Sequence, residues 1–136
     1  MATIESTYLG ELRSKSVHVQ SGQKLLTDAP IDNQGKGESF SPTDLLATSL
    51  GNCMLTVMGI AAREHHLNID GTTCSIVKVM ATNPRRVSEI QIEFNFPKEI
   101  TYSDKEKAIL ERSAITCPVA KSVHPDLIQQ VKFNFT

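Results

Sequence analysis

The chain is short of the features that mark several protein classes. Lysine and arginine number 14 against 15 aspartates and glutamates, with no basic run, so no charge field favours nucleic acid or an anionic membrane surface. No apolar run reaches the roughly 18 to 20 residues a membrane span needs, and the N-terminus MATIESTYLG has neither the basic nor the apolar region of a secretion signal. The expectation is a cytoplasmic protein with no nucleic-acid partner and no membrane partner. Three cysteines, Cys53, Cys74 and Cys117, are an odd count, which argues against a structural disulfide framework and makes any disulfide a transient, chemical one.

Metal and nucleotide signatures are missing too. There is no C-x-x-C pair and no H-E-x-x-H, and His65 and His66 are adjacent, so on a helix they point in different directions. The loop with Gly35 and Gly37 lacks the G-x-x-x-x-G-K-[ST] phosphate cradle. No cofactor and no metal are expected. The 136 residues carry no internal repeat or low-complexity segment, which predicts one domain over 1–136.

What is present is a long apolar helix with a well-marked start. In SPTDLLATSLGNCMLTVMGIAARE, Ser41 suits the N-cap, Pro42 the first helical position, and Asp44 the acid of a capping box. Leu45, Leu46, Leu50, Cys53, Met54, Val57, Met58 and Ala61 recur at three- and four-residue steps with further apolar residues between them. This pattern predicts burial on more than one side. Gly51 and Gly59 each cost about 1 kcal/mol relative to alanine inside a helix, which points to another backbone packed closely against them.

Extended pieces flank the helix. Ser16 to Gln20 and Lys24 to Thr27, separated by the Ser21-Gly22 turn, read as a meander, followed by an irregular loop, APIDNQGKGESF. Downstream, Cys74 to Met80 reads as a strand, Asn83-Pro84 as a turn, and Ile90, Ile92, Phe94 and Phe96 alternate along a second strand. Ser103 and Glu106 form a second capping box ahead of a helix over roughly 104–115, with Ala108, Ile109, Leu110 and Ile115 as its apolar contacts. A short turn of helix begins at Cys117-Pro118, and Val131, Phe133 and Phe135 alternate along a closing strand. The fold class is α+β, with strands before and after a long central helix.

The thiols read differently from one another. A lone cysteine on an apolar helix face, as at Cys53, is more often a small core hydrophobe than a nucleophile. Cys117 stands before a proline at a helix start, where free backbone N–H groups favour a thiolate, although a plain cap-position filler fits equally well. Cys74, in an apolar strand, reads as structural. His18 and His124 leave a Cys-His acyl-transfer site formally open, but nothing in the sequence selects either, and both read as surface residues.

LLTDAP, a glycine-containing loop, SPTDLLATSLGNC and, far downstream, TCPVAKS together resemble the OsmC/Ohr family of osmotically inducible and organic hydroperoxide resistance proteins. The resemblance runs over nearly the whole chain. It implies an intertwined α+β homodimer with two sites at the subunit interface. It also implies a thiol-dependent peroxidase that reduces organic hydroperoxides and is recharged by an external dithiol. By that resemblance Cys53 is the peroxidatic thiol and Cys117 the resolving one, and Arg13, in the early strand region, is the cation that holds the thiolate. The family orients this arginine with a glutamate near the start of the central helix. Here Thr43 takes that place, with Asp44 one residue later. Nine residues of helix put Asp44 about 13 Å from Cys53 and nearly on the opposite face, so Asp44 acts through the arginine, by facing the partner subunit's site, or as a capping residue. The alternative reading of the chain is an OsmC-like stress-associated binding protein with little turnover.

Overall fold

The computed structural model describes residues 1–136. Its elements in chain order are β1 (Ile4–Gly10), β2 (Arg13–His18), β3 (Lys24–Asp28), a 3-10 turn at Ile31–Asn33, α1 (Pro42–Glu64), β4 (Thr73–Ala81), β5 (Arg86–Asn95), α2 (Asp104–Ile115), α3 (Pro118–Ser122) and β6 (Ile128–Asn134). They group into two compact units, residues 1–46 and 47–136.

The first unit is an antiparallel meander in the order β1-β2-β3. Gly10, Glu11 and Leu12 all take positive φ to turn the chain between β1 and β2, and Gly22 does the same before β3. The second turn fixes a register in which Arg13 stands opposite Asp28, Lys15 opposite Leu26 and Val17 opposite Lys24. Ile4, Tyr8, Leu9, Leu25 and Leu26 are 42% to 65% exposed in the single chain, so this sheet buries little apolar surface.

The loop after β3 is closed at its neck by backbone hydrogen bonds. The Asp28 N–H donates to the Phe40 carbonyl at 3.0 Å, and the Ala29 N–H donates to the Leu12 carbonyl at 3.0 Å. A Cβ at Gly35 would fall 1.7 Å from the Ala29 carbonyl oxygen, so only glycine fits there. Where the sequence suggested no regular structure, Ile31–Asn33 forms one 3-10 turn, which Pro30 starts and the left-handed Gln34 ends. The helix start follows the sequence reading: Ser41 Oγ accepts from the Asp44 N–H at 3.0 Å, and Asp44 Oδ2 accepts from the Ser41 N–H at 2.9 Å.

The second unit holds the core. Strands β4 and β5 form an antiparallel hairpin, with a cis bond at Asn83-Pro84, and β6 lies parallel to β5. A parallel neighbour needs a crossover, and α2 and α3 supply it. Ile90, Ile92 and Phe94 are buried while Gln91, Glu93 and Asn95 between them are exposed, the period of two expected of a sheet with one covered face. Phe94 pairs in register with Phe133 and stacks on it at 5.5 Å. Phe96, Tyr102 and Phe135 form a second aromatic group, and the Tyr102 hydroxyl donates to the Asn68 carbonyl at 2.6 Å. Helix α2 starts on the Ser103–Glu106 capping box, as read from the sequence. It buries Leu110 and Ala114, whereas Ala108 and Ile115 face outward. Those two belong to the solvent stripe that an amphipathic helix keeps, so proximity in sequence to Leu110 overstated their part in the core.

Helix α1 departs from its sequence reading in three ways. Ala47, Leu50, Gly51, Met54, Met58, Ala61 and Ala62 form its buried stripe, but Leu46 and Ile60 are exposed, so within one chain the helix is covered on one side only. At Gly51 the close neighbour is a side chain rather than the backbone expected, since a Cβ there would meet Ile76 Cδ1 at 2.5 Å, and at Gly59 there is nothing within 4 Å. Finally, its 23 residues have a mean hydropathy of 1.6 over an 18-residue window, enough by length and composition to cross a membrane. Thr48, Ser49, Asn52 and Thr56 interrupt the apolar run without lowering that average enough. The fully buried Leu50, Met54 and Met58 make α1 the core helix of this unit.

Candidate thiol site

Cys53 sits on α1, half-buried beside the core cluster, and Cys117 is fully buried at the N-cap of α3. The sequence makes Cys117 a cap because Pro118 can start a helix but cannot continue one. Its Sγ accepts a hydrogen bond from the Ala120 N–H at 3.3 Å. The two thiols are close enough for Cys53 to bear on the titration of Cys117, and all three cysteines are free.

The electrostatics of Cys117 correct one expectation. Burial pushes its thiol up from the ordinary cysteine value. The neighbouring Cys53 pushes the same way, and the N–H groups of Ala120 and Val119 pull only partly back. Desolvation therefore outweighs the helix start, because α3 is five residues long and offers few aligned dipoles. Cys117 is held as a neutral thiol rather than a thiolate. Cys74, half-buried on β4 with its sulfur against Gly51 of α1, is also pushed up by burial, which agrees with a structural role.

Arg13 lies in the first unit and is held by two carboxylates. Its Nε donates to Asp28 Oδ1 at 2.6 Å, and its Nη2 donates to Asp28 Oδ2 at 2.9 Å and to Glu38 Oε1 at 2.7 Å. The hydrogen-bonded Arg13 holds the buried Asp28 carboxyl below the usual carboxylate range, and the two acids raise the arginine in turn. Asp44 closes the α1 capping box, and the Thr43 hydroxyl lies 3.1 Å from Ser41 Oγ. The acids on the arginine thus come from β3 and from the loop before the helix, not from the helix's first turn.

Asp28 and Glu38 were missed in the sequence. A signal for Asp28 existed, since the hairpin turn at Ser21-Gly22 fixes a register that sets it directly across from Arg13. Glu38 carried none, because its position depends on how the loop closes. His18 lies 2.6 Å from Ser21 Oγ, and His124 Nδ1 accepts from the Asp126 N–H; both are exposed. No group of three or more histidine, cysteine, aspartate or glutamate side chains converges as metal ligands would.

A half-exposed thiol on α1 and a buried thiol at the start of α3 thus stand near each other on an α+β frame. The chain belongs to the OsmC-like protein family, whose model matches residues 35–130. Among solved structures, it is 54% identical to a protein from Psychrobacter arcticus 273-4 described as an osmotic stress induced and detoxification response protein. That pair has a TM-score of 0.94 with 98% of this chain and 96% of that chain covered. An organic hydroperoxide resistance protein OsmC from Legionella pneumophila shares the fold at 12% identity, with a TM-score of 0.76 and coverage of 99% and 98%. So does an organic hydroperoxide resistance protein from Vibrio cholerae with captopril in one of its active sites, at 14% identity, a TM-score of 0.75 and coverage of 100% and 94%. No curated protein matches the chain.

Proposed function

We propose that this protein is a cysteine-based peroxidase that reduces organic hydroperoxides to alcohols, acting as a cytoplasmic homodimer without metal or organic cofactor. The observation that carries the reading is the pairing of Cys53 with Cys117, one open to solvent in part and the other fully buried.

The chemistry runs in two steps on these atoms. The Cys53 thiolate attacks the distal oxygen of the hydroperoxide, the O–O bond breaks, and the alkoxide takes a proton and leaves as alcohol while Cys53 becomes a sulfenic acid. Cys117 sulfur then attacks the Cys53 sulfur, hydroxide leaves with the Cys117 proton as water, and a disulfide forms. An external dithiol supplies the two electrons and two protons that restore both thiols. A thiol kept neutral by burial suits Cys117 to wait for this second step. In the manner of the family, Arg13 supplies the cation that favours the Cys53 thiolate, and Asp44 serves by fixing the start of the helix that carries Cys53.

The homodimer is supported by apolar surface the single chain leaves uncovered, on β1 and β3 and on α1 at Leu46 and Ile60. We read residues 1–136 as one OsmC-like domain within it. A second reading, a stress-associated binding protein with little turnover, is favoured by Thr43, which stands where the family's peroxidases carry a glutamate. Stopped-flow oxidation with cumene hydroperoxide followed by mass spectrometry separates the two. The expected result is rapid consumption and a Cys53–Cys117 disulfide, with Cys117→Ser stopping at the Cys53 sulfenic acid. Slow consumption without that disulfide selects the second reading.

A further inference from the structure

We propose that Asp28 is the positioning residue of Arg13: its buried carboxylate aims the guanidinium and ties the loop ahead of α1 to the same point. The proposal rests on the reading in which Arg13 serves the Cys53 thiolate.

The geometry is that of a clamp. Asp28 faces Arg13 directly across the β2–β3 ladder, and its two oxygens take Arg13 Nε at 2.6 Å and Nη2 at 2.9 Å. Oδ2 also accepts the Glu38 N–H at 3.1 Å, which anchors the loop. A planar guanidinium gripped by two parallel bonds has its orientation set, as a lysine ammonium would not. The grip uses the Nε/Nη2 edge and leaves Nη1 as the donor offered to a thiolate or a peroxide oxygen.

The two acids differ in what they can fix. The Asp28 side chain is fully buried, so its charge is compensated chiefly by Arg13 and it has no solvated alternative. The Glu38 side chain is 65% exposed, screened by water and free to leave the arginine at little cost. Positioning therefore falls to Asp28, with Glu38 as a secondary contact.

The test measures Cys53 oxidation by cumene hydroperoxide in the full-length protein. It is accompanied by the NMR signal of the Arg13 Nε–H, which a buried bidentate bond protects from solvent exchange. Wild type is expected to oxidise rapidly and to show the protected signal. Asp28→Asn is expected to lose the signal and slow oxidation roughly tenfold or more, Arg13→Lys to slow it comparably, and Glu38→Gln to change it less than about twofold. In an Arg13→Gln background, Asp28→Asn should cost nothing further, because a residue acting through Arg13 has nothing left to act on.

A wild-type rate in Asp28→Asn, or the same loss with Arg13 already removed, overturns the proposal while leaving the peroxidase reading intact. Failure of the wild type itself to oxidise overturns both. Should Asp28→Asn not fold, Asp28→Glu keeps the charge but displaces the grip by one methylene, and undiminished oxidation in that variant overturns the proposal equally.

Discussion

Sheet β4-β5-β6 hides Ile90, Ile92 and Phe94 in a core that includes residues of α1 and α2, while sheet β1-β2-β3, with the same number of strands, leaves Ile4, Tyr8 and Leu25 in the open. Three strands need a covered apolar face to be stable alone. The second unit provides one from its own residues, and the first does not. The difference teaches that the two halves draw their stability from different places: one from packing within the chain, the other from a cross-strand ion pair, a hydrogen-bonded loop neck and whatever covers its apolar side chains.

Truncation at the core is the largest expected effect. Phe94→Ala should cost about 3–5 kcal/mol, read from urea denaturation; a loss near that of an ordinary surface substitution would break the picture of a self-sufficient second unit. Next comes the uncovered face of α1. Ile60→Lys should raise the dissociation constant of the proposed homodimer roughly hundredfold, equivalent to about 2.7 kcal/mol, while circular dichroism stays that of a folded chain. Light scattering over a dilution series checks it.

The two helix glycines sharpen the contrast further. Gly51→Ala drives a methyl into Ile76 and should destabilise by about 1 kcal/mol after the gain in helix propensity is counted. Gly59→Ala meets nothing in the chain and should stabilise by about 0.5–1 kcal/mol. A loss at Gly59 instead would place it under a partner's backbone.

The smallest effect expected is on pH dependence. The folded-state value of Cys117 is raised above the unfolded one, so its contribution to stability is full below about pH 8.5 and is lost as pH rises through the folded value. Wild-type melting temperature should therefore fall from pH 8 to 10 more steeply than that of Cys117→Ala; the residual slope includes Cys74, which is shifted in the same sense.

Much of the frame was legible because it is written in local chemistry. Both capping boxes placed their helix starts, Cys117-Pro118 marked α3, and alternation marked β5 and β6. The interrupted apolar run of α1 hid its span-like hydropathy, and its nearly all-round apolar character reported more surface than one chain covers. The arginine's partners escaped because a cross-strand pair depends on register, which a separation of 15 positions along the chain obscures, and Glu38 depends on loop closure as well. The association of Cys53 with Cys117 came from the family resemblance; spacing along the chain carries no trace of it.

The closed neck of the loop between β3 and α1 bears on how this molecule can change. Its ends are joined by the Asp28–Phe40 hydrogen bond, and Gly35 and Gly37 tie back to Pro30 and Ala29 through their own N–H groups. The tip, Ile31 to Gln34, lies beyond these ties and is folded on itself by the bond that the Asn33 N–H donates to the Pro30 carbonyl at 2.9 Å. Closure entropy grows slowly with loop length, so the tip is where residues can be inserted or exchanged, by drift or by design, without disturbing Arg13 or the first turn of the helix.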